Sequence, residues 1–228
     1  MGLCMLPGII TTLLSKEPVS GLQQQQFTNG SLLQRTLSWL KQAVVAPFID
    51  FFSRYKWHAI LILLLIACYR LSDVVMGVMA NAFYVDMGYS KEEVASVSKI
   101  YGVIMTLLGA ALGGVLINKF GVIKILFIGA LLSAVTNLLF SALSQIGYDL
   151  VWLTLVISAD NLSAGIATSA FLAYLASLVN LAFTATQYAI FSSLMLLLPK
   201  FTGGFSGMWV EQMGYSQFFV MTALMGIP

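Results

Sequence analysis

Five long apolar stretches, at about residues 59–85, 94–117, 122–143, 150–178 and 187–210, leave this chain of 228 residues few ways to fold. Each is long enough to cross a bilayer, which takes roughly 20 residues at 1.5 Å of rise. In lipid a helix satisfies every backbone N–H and C=O from within one segment, so the stretches read as membrane helices. Charged residues make up 9% of the chain and the mean hydropathy is +0.92. A soluble domain carries roughly 25% charged residues, so a water-soluble enzyme, a nucleic-acid binder and a disordered tail are excluded. The expected class is an all-α polytopic membrane protein, multi-pass in the bilayer.

The ends and the polar loop complete that outline. Residues 1–14 hold about a dozen apolar residues, fewer than a span needs, with no basic residue ahead of them to make a signal peptide; they read as a partial transmembrane helix. Residues 15–57 form the one extended polar stretch and read as a cytoplasmic loop carrying Lys16, Arg35, Lys41, Arg54 and Lys56. With Lys119 and Lys124 on the same side and only Lys91 opposite, the basic residues set the orientation. Residues 217–228 start another helix too short to cross, so the transmembrane bundle over 58–228 comprises five full helices flanked by two partial ones. Cys4 and Cys68 lie far apart in apolar surroundings and offer neither a metal spacing nor a disulfide framework; no cofactor or metal is expected.

An internal repeat carries more information. The second span ends Gly114-Val-Leu-Ile-Asn118-Lys119-Phe-Gly121, and the fifth ends Gly207-Met-Trp-Val-Glu211-Gln212-Met-Gly214. In each, two glycines seven apart bracket a polar pair, as a tight turn between helices would require. The first and fourth spans each carry one Asp near mid-depth, Asp73 and Asp160. Three helices followed by three, with a carboxylate in the first of each set, is the pattern of repeat-built transporters.

Ionisable side chains at that depth are costly, about 2.5–3.5 kcal/mol each on the most lenient insertion scale. Arg70, Asp73, Asp160 and Lys200 are therefore expected to point into the bundle or a water-filled cavity. Arg70 and Asp73 lie three apart on one helix face, which suits either a local ion pair that fixes packing or a substrate or proton site. Asn161, beside Asp160, can both donate and accept hydrogen bonds from a polar ligand. Small residues recur every fourth position, at Gly102, Thr106, Ala110 and Gly114, and at Gly165, Ser169, Ala173 and Ser177, as closely packed helices require. No nucleophile–base pair, metal cluster or phosphate-binding glycine loop is visible, so an enzyme is not expected.

Gly114–Lys124 resembles the loop motif between the second and third helices of each half of the major facilitator superfamily, with Asn118 in place of its acidic residue and Val122–Ile123 in place of its basic pair. A longer series resembles the C-terminal half of AmpG-type muropeptide permeases. It comprises Tyr69-Arg70-Leu-Ser-Asp73, Asp160-Asn161, Gly165-Ile-Ala-Thr168-Ser-Ala-Phe171, Ala185-Thr186-Gln187-Tyr188-Ala189 and Gly207-Met-Trp-Val210-Glu211. The resemblance covers nearly the whole chain and implies half of a major facilitator-type bundle from a proton-coupled symporter of the cell inner membrane. Such symporters import anhydro-muropeptides, sugar–peptide fragments of cell-wall turnover, for recycling. It places Asp73, Asp160, Asn161 and Gln187 on the central path, with Arg70 where the family has Lys. A midplane site forms between two halves. Two readings follow: a half-transporter that works with an N-terminal half-transporter or by self-association, and a truncated remnant that inserts and moves nothing. The implied partners are the lipid bilayer and a polar, muropeptide-like small molecule, with no nucleic acid.

Overall fold

The computed structural model describes residues 45–227, and every regular element among them is helical. The expected partial helix over 1–14 and the loop residues 15–44 lie outside the described residues. The end of the expected loop is itself helical: α1, Ala46–Tyr55, begins with Pro47 in its first turn, where a missing N–H costs nothing. After the two-residue turn Lys56–Trp57 come α2 (His58–Cys68) and α3 (Leu71–Asp86), the halves of one span expected as a continuous helix over 59–85. Arg70, at φ −95° and ψ 5°, interrupts it. Tyr69 pins the break: its hydroxyl donates to the Leu126 carbonyl at 3.0 Å, and its ring stacks on Phe171 at 4.6 Å.

The next span opens with α4 (Lys91–Val94), where Ser90 and Glu93 exchange side-chain bonds to each other's backbone N–H and satisfy two otherwise unpaired donors. A π-helical segment, Ala95–Tyr101, leads into α5 (Gly102–Phe120). Then come α6 (Val122–Ile146) and α7 (Leu150–Leu178), the latter capped by Asp149, whose carboxylate accepts from the N–H groups of Val151 and Trp152. A short 3₁₀ turn, Leu181–Phe183, precedes α8 (Thr184–Gly203) and α9 (Ser206–Met225). Among the described residues four helices are long and apolar enough to span a membrane, and up to five if the bent pair α8–α9 is one span. Five full spans is thus the upper count.

The expected helix over 187–210 breaks at Gly204–Phe205, just past Pro199, and α9 then folds back on itself. Ser206 donates to the Val75 carbonyl, and the Thr222 carbonyl accepts from Ser72, so residues sixteen apart meet sites three apart on α3. Between them Tyr215 reaches Asp86 at the far end of α3, 2.6 Å away. A straight helix would separate Ser206 from Thr222 by about 24 Å. The reversal sits at Gly214, with φ 77° and ψ 166°, nearly the conformation of Gly121 between α5 and α6, φ 87° and ψ 157°. The two repeat motifs thus end in the same left-handed glycine, the residue that reaches this region without a Cβ penalty. Gly114 and Gly207, at their other ends, have open space where a Cβ would go.

α5 and α7 pack backbone to backbone. A Cβ on Gly109 would fall 2.2 Å from the Leu162 carbonyl oxygen, and one on Gly165 would fall 2.4 Å from that of Thr106. The α5 face against α7 is therefore Gly102, Thr106, Gly109 and Gly113, a register turned away from the expected Gly114. An aromatic core, built from Phe83, Phe140, Tyr215 and Phe219 in edge and tilted contacts, holds α3, α6 and the returning arm of α9 together.

Candidate functional site

The polar residues of the apolar helices gather in two places. The first lies at mid-span on α6. Ser133, the twelfth of that helix's 25 residues, donates its hydroxyl to Asp73 Oδ1 on α3. One turn on, the hydroxyl of Thr136 lies 3.2 Å from Asp160 Oδ1 on α7 and 2.9 Å from the Ser133 carbonyl. Residues three apart share a helix face, so one face of α6 holds both carboxylates, each from a different helix. Each carboxylate accepts this single hydrogen bond among the described residues, and both side chains are only partly buried.

Neighbouring positions extend the cluster. Asn137, fully buried, donates from Nδ2 to Ser72 Oγ at 2.6 Å, and Ser72 donates on to the Thr222 carbonyl, tying α6, α3 and α9 together. The guanidinium of Arg70 goes to Thr168 Oγ1 on α7, 2.7 Å away, and forms no ion pair with Asp73. Its buried Nε has no partner among the described residues. Of the two alternatives for Arg70 and Asp73, the local ion pair is absent among the described residues, and Arg70 instead links spans through Thr168. Asn161 donates to the Ile157 carbonyl on its own helix and accepts from Thr106 of α5 at 2.9 Å, with Gly102 against its amide.

The second gathering is elsewhere, at the start of α8, and it claims Gln187. This side chain is 1% exposed. Its Nε2 donates to the Pro47 carbonyl and to Asp50 Oδ2, both at 3.0 Å, while its Oε1 accepts from the Asn180 N–H at 2.8 Å and from Arg54 at 3.3 Å. Arg54 also donates to Asp50 at 3.0 Å and to the Leu178 carbonyl at 3.1 Å, and Asn180 Nδ2 donates to Asp50 Oδ1 at 2.9 Å. Burial pushes the Asp50 carboxyl up, but the bonds from Gln187, Asn180 and Arg54 outweigh it and hold the group below its usual range. Gln187 is thus knotted to α1 and the end of α7, apart from the carboxylates with which the sequence groups it.

Lys200 is exposed on α8, without an ion pair among the described residues, where an inward position was expected. Asn118 and Lys119 are exposed beside the Gly121 turn, with the Lys119 ammonium 5.3 Å from the Phe120 ring centre. No group of three or more metal-ligating side chains occurs among the described residues. Ser133 and Thr136 are polar contacts that nothing in the sequence motifs singles out, whereas Thr168 belongs to the series from Gly165 to Phe171. Ser133, Thr136 and Asn137, at i, i+3 and i+4 inside an apolar run, were the available signal.

Two carboxylates, a guanidinium, an amide and several hydroxyls held between packed spans can bind a polar solute and exchange protons with it or with water. Such equipment inside a membrane marks solute and ion pathways, and the molecule is an all-helical, multi-pass membrane protein. No family model matches the chain. It is 34% identical over 192 residues to the AmpG 4 transporter of Rickettsia felis, covering 84% of this chain and 46% of that protein. It is 34% identical over 229 residues to the anhydromuropeptide permease of Escherichia coli K12, covering 100% of this chain and 44% of the permease. The AmpG 3 transporter of Rickettsia prowazekii is 29% identical over 219 residues, 95% of this chain and 50% of that protein. The chain is thus similar, over 84–100% of its length, to proteins that carry AmpG transporter and anhydromuropeptide permease names, and it spans about half the length of the curated relatives it matches. Those relatives carry the names of transporters, not of enzymes.

Proposed function

We propose that the chain supplies half of a secondary transporter that imports anhydro-muropeptides across the cell inner membrane, with protons exchanging at Asp73 and Asp160. The observation that carries this reading is the convergence of two intramembrane carboxylates, from α3 and α7, on one face of α6. Neither has an ionic partner among the described residues, so an arrangement costly in lipid is retained where it can meet solute and water. Arg70, Asn161 and Thr168 complete a polar lining for a solute rich in hydroxyls and amides. The name of the Escherichia coli relative supplies the substrate class. The complementary surface comes from a separately encoded half or a second copy of this chain.

A chimera tests the reading. The chain replaces the matching 44% of the Escherichia coli permease, and uptake of labelled anhydro-muropeptide is measured in cells that lack their own permease. Uptake above the empty-vector level, abolished by a protonophore, is the expected result. A chimera that inserts at normal abundance and takes up nothing would establish the alternative, a non-transporting remnant.

A further inference from the structure

α1 presents two unlike faces. Pro47, Phe51, Asp50 and Arg54 point to the bundle: Phe51 packs edge-on against Phe191 at 5.1 Å, and the two charged residues enter the Gln187 knot. On the other side Val45, Phe48, Ile49 and Phe52 are exposed by 45, 39, 61 and 40%. Their spacing, i, i+3, i+4 and i+7, is that of a single apolar stripe. Because the knot fixes the inner face, the stripe cannot roll inward and is held facing out.

The position of the helix says what covers that stripe. Only Lys56 and Trp57 separate α1 from the first residue of the α2–α3 span, so the C-terminal end of α1 stays within about 11 Å of the span's end. Lys56 takes φ 48°, the only positive φ of a non-glycine among the described residues, and turns the chain sharply between the two helices. Trp57 is 75% exposed, and the stripe continues in chain order into the exposed Ile60, Leu61 and Leu64 of α2. Lys56 is exposed and has no ion pair among the described residues. An outward apolar stripe, a free tryptophan and an unpaired lysine at the mouth of a span are the components of a helix that lies in the membrane surface.

We propose that α1 is an interfacial helix whose partner is the bilayer itself. Val45, Phe48, Ile49 and Phe52 enter the boundary between acyl chains and headgroups, and Lys56 meets the phosphate of an anionic lipid. This is independent of what the bundle transports. It would hold α1 at a fixed depth and, through Gln187, set the depth of the junction between α7 and α8.

Nitroxide labels test it in the full chain, with Cys4→Ser and Cys68→Ser as background, in vesicles containing phosphatidylglycerol. Labels go on Ile49→Cys and separately on Phe52→Cys, so that one ill-folded variant does not decide the matter. Leu61→Cys serves as the lipid reference and Lys119→Cys as the water reference. The expected result is oxygen accessibility at 49 and 52 close to that at 61, with collisions with a water-soluble nickel chelate several-fold rarer than at 119. Lys56→Gln should make both labels shallower, as should replacing phosphatidylglycerol by phosphatidylcholine. Free access to nickel would overturn the proposal in favour of a solvated helix, and exclusion of both reagents would overturn it in favour of a covering polypeptide. Depths indifferent to Lys56 and to lipid charge would overturn the anionic-lipid contact.

Discussion

The two polar gatherings of this molecule are built from the same residue types and satisfied in opposite ways. Around Gln187, both ends of a buried amide, a carboxylate, a guanidinium and a backbone N–H are all engaged, and Arg54 and Asp50 form an ion pair. Around Asp73 and Asp160, each carboxylate has one hydroxyl, Arg70 is turned away to Thr168, and its Nε is left over. A saturated cluster has nothing left to offer a ligand; its polar atoms serve to lock α1 against α7 and α8. An unsaturated one keeps hydrogen-bonding capacity in reserve, and inside a membrane that reserve is costly unless something uses it. On the proposed reading, the difference separates anchoring from function where composition alone would merge them.

Substitutions in the two clusters should therefore have opposite consequences. The largest effect is expected from Asp160→Asn in the chimera, which should abolish proton-driven uptake while abundance and unfolding midpoint stay near those of the parent. Unchanged uptake would remove Asp160 from the mechanism. Gln187→Leu should do the reverse. It strands the Asn180 N–H and removes a bond from each of Asp50 and Arg54, at about 1–3 kcal/mol for each buried group left unpaired, read as a lowered midpoint in denaturant titration. Uptake per folded molecule should persist.

Packing offers a control between these extremes. Gly109→Ala pushes a methyl group into the Leu162 carbonyl, and overpacking of this kind costs roughly 1–3 kcal/mol. Gly114→Ala, with open space at its Cβ, should be neutral or slightly stabilising through helix propensity. Equal effects at the two positions would contradict the α5–α7 register. The smallest effect is the acid sensitivity of the knot. Asp50 is held below its usual range, so its contribution is fully present at neutral pH and is lost as pH falls through the depressed value, below about pH 4. Asp50→Asn should remove that acid-side loss from a plot of unfolding midpoint against pH.

Much of the architecture was legible because length and hydropathy are blunt signals. The stretch expected over 150–178 is the range of α7, and the stretches expected at 94–117 and 122–143 lie within Lys91–Phe120 and Val122–Ile146. The glycines of the repeat announced both turns, since Gly121 and Gly214 adopt a conformation that other residues avoid. The break at Tyr69–Arg70 was not legible. It contains neither Gly nor Pro, and what stabilises it is tertiary, the Tyr69 bond to Leu126 and its stacking on Phe171. The resemblance places Gln187 on the central path; its bonds to Pro47, Asp50 and Arg54 were not legible, because these partners lie 133–140 residues earlier in a segment that reads as loop. Asp73 and Asp160 stood out as charges, but the hydroxyls of Ser133 and Thr136, which join them, look like ordinary small residues of a membrane helix.

The claim on which the rest depends is that Asp73 and Asp160, gathered on the α6 face, lie on a wetted, solute-accessible path while the Gln187 knot is sealed. Its most direct test is thiol labelling of the chimera, cleared of native cysteines, with a water-soluble methanethiosulfonate reagent. Asp160→Cys should react and be protected by anhydro-muropeptide, whereas Gln187→Cys should stay unreactive. A thiol at 160 that remains unlabelled while Lys119→Cys reacts, or that reacts equally with and without the muropeptide, would contradict the account.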